Sequence, residues 1–184
     1  MDALDAITTR RSVTKLIEPG PTAIQLETIL NAAVHAPDHK QLSPGRFLII
    51  DGEARKAFGE VMANAMSARD PKASEGQLEK ERNKPLRAPT IVAVSVPRVE
   101  TKIPFSELVA ATCAAVQNIL LAAHALGLGA IWKTGPAATD PNVKAKLGID
   151  PADEVVGFVY LGQPAEPPAP RHPTTEGVVA VWSP

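Results

Sequence analysis

The chain has 184 residues, which is enough for one domain that buries most of its apolar surface without support from a disulfide or a metal. Its formal net charge is −1, and its Lys and Arg residues are dispersed among Asp and Glu, so the composition disfavours binding to nucleic acid. The single cysteine, Cys113, excludes a disulfide framework within the chain.

The first residues carry no targeting signal. The sequence starts Met1-Asp2-Ala3-Leu4-Asp5, which has neither the basic region nor the apolar region of a signal peptide. We therefore expect a cytoplasmic protein that does not bind a membrane.

Two polar stretches near the N-terminus indicate an anion site. Arg10-Arg11-Ser12 combines two guanidinium groups with a hydroxyl, and residues 36–40 add an imidazole and an ammonium group. The helix predicted between them would be a rod about 20 Å long. One small ligand could not contact both ends of this rod in one subunit, so the spacing suggests that two subunits supply one cluster each.

Periodicity and capping signals predict alternating helices and strands. Thr22 and Gln25 form a capping box at the start of an amphipathic helix that ends before Pro37. Residues 67–87 are polar with little periodicity, which predicts either a solvated helix or a mobile excursion that could act as a lid. The other predicted elements are, in chain order, a strand at 46–50, a helix at 58–65, a strand at 90–96, a helix at 106–126, a strand at 130–132, a short helix capped by Asp140, a strand at 155–161 and an apolar, strand-like tail at 178–182 that needs a docking surface.

The predicted helix at 106–126 approaches the length of a membrane span. Polar residues such as Glu107, Gln117 and Asn118 interrupt it, and Ala outnumbers the larger aliphatic residues. These features favour a central helix that is buried by its neighbours or by a second subunit. The sequence shows no internal repeat and predicts a single domain over residues 1–184.

The segment from Gly127 to Thr134 comes close to two nucleotide-binding patterns and fits neither. Trp132 occupies the position of the second phosphate-loop glycine, where the backbone must approach the phosphates closely. The same residue breaks the dinucleotide fingerprint. Gly127 and Gly129 are instead typical of a helix end followed by a tight turn into a strand. A metal site at His35 and His39 is disfavoured, because Pro37 interrupts the helix that they would need to share.

Four motifs in one order resemble the nitroreductase family of FMN proteins, and most closely its small YdjA-type branch. They are M-D-A-L-x-x-x-x-x-R-R-S at the start, A-P-D-H-K at 36–40, G-x-G-x-I-W-K-T-G at 127–135 and V-G-F-x-Y-L-G at 156–162. The resemblance implies an α+β fold with a mostly antiparallel central sheet flanked by helices. It also implies an intertwined homodimer with FMN at the subunit interface.

The resemblance implies a specific set of cofactor residues. Arg10, Arg11 and Ser12 would bind FMN from one subunit, and His35 and His39 would reach it from the other. Three consecutive residues would return to the same flavin from the first subunit: Trp132, Lys133 and Thr134. A further segment matches a stretch assigned to nicotinamide nucleotide contact in that branch: Ala122, Ala123, His124, Ala125, Leu126 and Gly127.

The implied chemistry belongs to the flavin, so no side-chain nucleophile is predicted. NAD(P)H, either NADH or NADPH, would deliver hydride to N5 of FMN, and a small acceptor such as a nitroaromatic or a quinone would take two electrons by a ping-pong mechanism. Many family members carry a basic residue at the position of Thr14, and Lys133 is the candidate here for balancing the negative charge of the reduced flavin. Two alternatives are a protein that stores, delivers or senses FMN with little turnover, and a flavin-free dimer that acts as a scaffold.

Overall fold

The computed structural model describes residues 1–171 and 173–183. In chain order the helices and strands are α1 (Ala3–Thr9), β1 (Leu16–Ile17), α2 (Ala23–Val34), β2 (Arg46–Asp51), α3 (Ala54–Arg69), α4 (Glu75–Arg82), β3 (Thr90–Val96), α5 (Phe105–Ala125), β4 (Gly129–Lys133), α6 (Pro136–Thr139), α7 (Pro141–Lys146) and β5 (Glu154–Pro164). Two short 3-10 turns cover His39–Gln41 and Pro85–Arg87.

The five strands form one antiparallel sheet with β5 near its centre. The strand order is β1-β5-β3-β2, and β4 also pairs with β5. Residues of β3 alternate between two apolar layers: Val92 and Val94 face α2 and α5, whereas Ile91 and Ala93 face α3 and α7. Because both faces of the sheet are covered, β3 is buried along its whole length. The predicted antiparallel sheet flanked by helices is confirmed.

Helix α5 lies at the centre of the apolar layer on one face of the sheet. It is the one helix in the described residues that is long and apolar enough to cross a membrane by length and composition. Its buried side chains, which include Leu108, Val116 and Ile119, pack against the sheet and α2. The prediction of a buried central helix is therefore confirmed.

The polar segment at 67–87 contains a solvated helix, α4, between the end of α3 and the second 3-10 turn. Helix α4 buries no residue, yet its end packs so close to α3 that a Cβ on Gly59 would lie 2.2 Å from the Arg82 carbonyl oxygen. The Arg82 guanidinium forms ion pairs with Glu60 on α3 and with Glu75 and Glu79 on α4. Of the two structures predicted for this segment, the solvated helix is correct.

The C-terminal tail departs from its prediction. Residues 178–182 form no strand, and Val181 and Trp182 are 91% and 84% exposed. A strand needs a neighbouring strand to pair its backbone groups. The tail pairs with no strand in the part of the chain that the structure describes, so the predicted strand is wrong for the isolated chain.

Candidate functional site

The N-terminal site consists of Arg10, Arg11 and Ser12 together with Arg171. Helix α1 ends at Arg10, and the chain then runs beside β4, where Ser12 forms a parallel bridge with Ala130. The backbone N–H of the next residue donates to the Ala130 carbonyl over 3.0 Å. This contact fixes the turn that carries the two guanidinium groups, and the Ser12 side chain faces solvent.

The two neighbouring arginines have different partners. Arg11 donates from Nη1 to the carbonyl oxygens of Thr8 and Arg10 and from Nη2 to that of Arg171, each over 2.8 Å. Two other guanidinium atoms, Arg10 Nη1 and Arg11 Nε, are buried and have no hydrogen-bond partner among the described residues. Burial and the nearby charges of Arg11 and Arg171 lower the pKa of Arg10. Arg11 therefore shapes the site, and Arg10 retains the capacity to bind an anion.

Arg171 is a member of this site that the sequence did not predict. It follows the proline-rich stretch 164–170 and lines the same open groove as Arg10 and Ser12. No motif marks it, because its position depends on where the chain runs after β5. The only sequence signal is a lone cation next to a rigid proline segment.

The segment 122–127 forms the end of α5. The N–H of Leu128 bonds to the Ala123 carbonyl over 2.9 Å, and that of Gly127, with φ +78°, bonds to the His124 carbonyl over 3.0 Å. This Schellman motif confirms the predicted helix end at Gly127. Ala123 is fully buried, whereas Ala125, Leu126 and Gly127 are exposed.

His124 faces the N-terminal site. Its Nε2 lies 2.8 Å from the hydroxyl of Thr9, at the end of α1. Burial and then the charges of Arg10 and Arg11 lower the pKa of His124. Burial and the two cations therefore favour the uncharged form of the imidazole, which contacts the Thr9 hydroxyl.

The predicted flavin-bordering residues lie at the end of β4. Trp132 Nε1 donates to the Val156 carbonyl over 3.0 Å. The indole packs over Gly157, where a Cβ would come within 2.3 Å of the same nitrogen and where φ is +147°. Lys133 projects from the opposite face of the strand, and its Nζ lies 5.7 Å from the centroid of the Tyr160 ring. Thr134 is exposed.

A cavity of about 380 Å³ adjoins this end of the strand and is called here the β4 cavity. Its charged lining comes from the end of β4 and from the region of α3 and α4: Arg69, Glu81, Lys84, Arg87 and Lys133. The remaining lining is mostly apolar: Met62, Ala65, Ile131, Pro136, Ala137, Val143, Phe158, Tyr160 and Trp132, with Thr134 at the rim.

The structure places the two ends of the predicted site on one strand. Ser12 adjoins Ala130, and Thr134 follows the last residue of β4, so about 13 Å separates the two along the strand. FMN has an anionic phosphate at one end and a flat ring system at the other. Arg10 Nη1, and the β4 cavity with its apolar wall and its cations, fit these two ends.

His35 and His39 lie far from Arg10 within one subunit. His35 Nδ1 is 2.8 Å from the Asn31 carbonyl oxygen, and His39 Nδ1 is 2.8 Å from Glu107 Oε2 at the start of α5. His124 stands near the other end of that helix, about 26 Å away at 1.5 Å per residue. The structure thus keeps the two predicted clusters apart in one chain.

The loop that carries His39 has an unusual backbone. Lys40, Gln41 and Ser43 all have positive φ values, of 59°, 54° and 47°. The Asp38 carboxylate accepts a hydrogen bond from the backbone N–H of Ser43 and holds the loop in this shape. Left-handed conformations are costly for residues other than glycine, so the loop is strained.

Comparisons with known proteins agree with the fold and the motifs. The Nitroreductase family profile matches residues 7–163. The chain is 41% identical over 165 residues to the Escherichia coli protein YdjA, provisionally named an NAD(P)H nitroreductase, and 89% of each chain is covered. It is also 33% identical over 166 residues to a Haemophilus influenzae protein with the same provisional assignment, covering 88% of each.

Solved structures give the same result. A nitroreductase-like family protein from Bacillus cereus superposes with a TM-score of 0.85 at 26% identity, covering 100% of this chain and 97% of that one. A nitroreductase with bound FMN from Bacteroides fragilis superposes with a TM-score of 0.75 at 26% identity, covering 100% of both chains. The resemblance drawn from the four motifs is confirmed: the chain belongs to the nitroreductase family.

Proposed function

We propose that the protein is an FMN-dependent NAD(P)H oxidoreductase that transfers two electrons to a small electrophile such as a nitroaromatic or a quinone. The observation that carries the proposal is Arg10 Nη1 beside Ser12, which is buried and has no hydrogen-bond partner among the described residues, at one end of a strand whose other end borders the β4 cavity. The nitroreductase with bound FMN from Bacteroides fragilis supports the choice of cofactor.

The proposed binding roles follow from the partners of each residue. Arg10 and Ser12 hold the phosphate by charge-assisted hydrogen bonds. Arg11 keeps the turn in shape through its three bonds to carbonyl oxygens. Trp132, Lys133 and Thr134 border the ring at the end of β4, where Thr134 is the first residue beyond the β4–β5 pairing.

FMN supplies the redox chemistry when bound, since its N5 accepts hydride from NAD(P)H and the reduced ring passes two electrons to the acceptor in a ping-pong cycle. The side chains of this protein bind, orient and tune the charge of the ring, so no nucleophile is required. The exposed end of the 122–127 segment, from Ala125 to Gly127, is the part of it that can contact a nicotinamide nucleotide.

We further propose a single-domain homodimer in which His35 and His39 complete the flavin site of the partner subunit. Two observations support this arrangement. The His39 loop and the N-terminal site contact opposite ends of α5, which lie about 26 Å apart along the helix axis, and Val181 and Trp182 of the apolar tail are exposed in one chain. A cytoplasmic location fits such an enzyme.

The test is the redox behaviour of the purified protein. Under anaerobic conditions NADH or NADPH should bleach the copurified flavin, and a quinone or nitroaromatic should restore its colour. Steady-state rates should give parallel double-reciprocal lines. Stoichiometric flavin with negligible NAD(P)H oxidation would favour FMN storage or sensing instead, and a colourless protein that does not bind added FMN would exclude both.

A further inference from the structure

Four cationic side chains line the β4 cavity, and only two of them form ion pairs with carboxylates among the described residues. Two of its four cations have partners: Arg69 pairs with Asp140, and Lys84 pairs with Glu81. The other two cations, Arg87 and Lys133, have no carboxylate partner among the described residues. Arg87 belongs to the 3-10 turn after α4, and Lys133 ends β4, so they come from two separate walls of one cavity.

The surroundings of Lys133 make its charge costly. Burial lowers the pKa of Lys133, and the charges of Arg87 and Lys84 lower it further. The Tyr160 ring beneath its ammonium group gives partial compensation through a cation–π contact. The phenol itself adds no negative charge, since burial raises the pKa of Tyr160 to about 12.

An uncompensated pair of like charges beside an apolar wall is relieved when an anion enters the cavity. A phosphate would meet the two cations but leave Ile131, Phe158 and Tyr160 in contact with a strongly hydrated group. A flat apolar ring whose negative charge is delocalised would satisfy both the cations and the wall. Reduced flavin, which is anionic at neutral pH, has these properties.

We propose that Arg87 and Lys133 form a positive wall that stabilises the reduced, anionic form of bound FMN. The pair takes the place of the basic residue that many family members carry at position 14, where this chain has Thr14. Hydride transfer from NAD(P)H brings two electrons and one proton, releases NAD(P)⁺ and leaves one negative charge on the ring, which the two side chains balance. The inference rests on the proposed function, because it requires the flavin ring to occupy the β4 cavity.

Potentiometric titration of FMN bound to variants of the full-length protein tests the proposal. In Arg87→Gln and in Lys133→Gln, the affinity for reduced FMN should fall about tenfold more than the affinity for oxidised FMN. A tenfold change in this ratio lowers the midpoint potential by about 30 mV for a two-electron couple. Arg87→Lys and Lys133→Arg keep the charge and should retain most of the wild-type potential, which a purely structural role would not produce.

Lys80→Gln is the matched control, because it removes one positive charge from an exposed position on α4 outside the cavity. Its potential should equal that of the wild type. If a glutamine variant fails to fold, Arg87→Met or Lys133→Met removes the charge while keeping the length of an apolar side chain.

The outcomes separate this inference from the proposed function. A wild-type protein that binds no FMN overturns both. Variants that hold FMN at the wild-type potential overturn the inference alone. An unchanged potential with a raised KM for NADH or NADPH also overturns it, and would assign Arg87 and Lys133 to the nicotinamide nucleotide.

Discussion

The two cationic regions at the ends of β4 differ in how their charges are compensated. In the N-terminal site, Arg11 donates from both Nη atoms to carbonyl oxygens, Arg10 Nη1 has no hydrogen-bond partner among the described residues, and the surrounding groove is open and rich in proline. In the β4 cavity, the exposed Arg87 and the half-buried Lys133 line the same space as apolar residues such as Phe158. The open region suits a hydrated phosphate and the enclosed region suits a ring, so a single strand can present both ends of one flavin nucleotide.

The largest expected effect is the loss of FMN from the open region. Arg10→Ala combined with Ser12→Ala removes two contacts to the phosphate, each a charge-assisted hydrogen bond worth roughly 1.5 to 3 kcal/mol. We expect the dissociation constant for FMN to rise by at least about 100-fold. Equilibrium titration of the apoprotein measures it, with Lys56→Ala on the surface of α3 as the control. Unchanged flavin occupancy in the double variant would rule out the phosphate assignment.

A smaller effect is expected from loosening the wall of the enclosed region. Gly59→Ala places a methyl group against the Arg82 carbonyl, so α4 must move away from α3. We expect the free energy of unfolding to fall by about 1 to 3 kcal/mol, and FMN to bind more weakly because the turn that carries Arg87 moves with α4.

Gly76→Ala is the control for this variant, since a Cβ on Gly76 meets nothing within 4 Å. It should stabilise the exposed helix by up to about 1 kcal/mol through helix propensity. Urea denaturation monitored by circular dichroism compares the two variants. Equal stabilities would show that α4 is free to shift and that the cavity wall is not fixed by this contact.

The smallest effect concerns His124, whose pKa is lowered by burial and by the charges of Arg10 and Arg11 in the open region. Its pKa is lowered in the folded state, so the unfolded chain takes up a proton first as the pH falls below the ordinary value of 6.5. The free energy of unfolding should therefore fall with decreasing pH below 6.5, and His124→Gln should flatten this dependence.

Because FMN phosphate would offset the charges of Arg10 and Arg11, the NMR titration of His124 should move to higher pH in the holoprotein. An identical titration with and without FMN would contradict the shared location.

The comparison also explains which parts of the molecule the sequence could predict. The capping box of Thr22 and Gln25 and the helix end at Gly127 depend on residues within a few positions, and the structure contains both as predicted. Arg87 and Lys133 line one cavity although they lie far apart in the chain. The close approach of Gly59 to Arg82 depends on how α4 packs against α3. Arg171 reaches the N-terminal site only through the path of the chain after β5. Local signals contain none of this information.

The same distinction between local and distant contacts separates the C-terminal tail from the His39 loop. The apolar residues at 178–182 carry the pattern of a strand, but a strand forms only where a partner strand exists. The sequence predicted the separation of His39 from Arg10, because it follows from helix length alone. Whether two chains bring them together is a property of the assembly.

The fluorescence of Trp132 tests most directly whether one flavin connects the two regions. In the Trp182→Phe variant, Trp132 is the only tryptophan, and it is one of the residues that line the β4 cavity. We predict that adding FMN to the apoprotein quenches this emission in proportion to occupancy, because the ring lies in contact distance of the indole. The Arg10→Ala change should shift the quenching to higher FMN concentration. Bound FMN that leaves the emission of Trp132 unchanged would contradict the account.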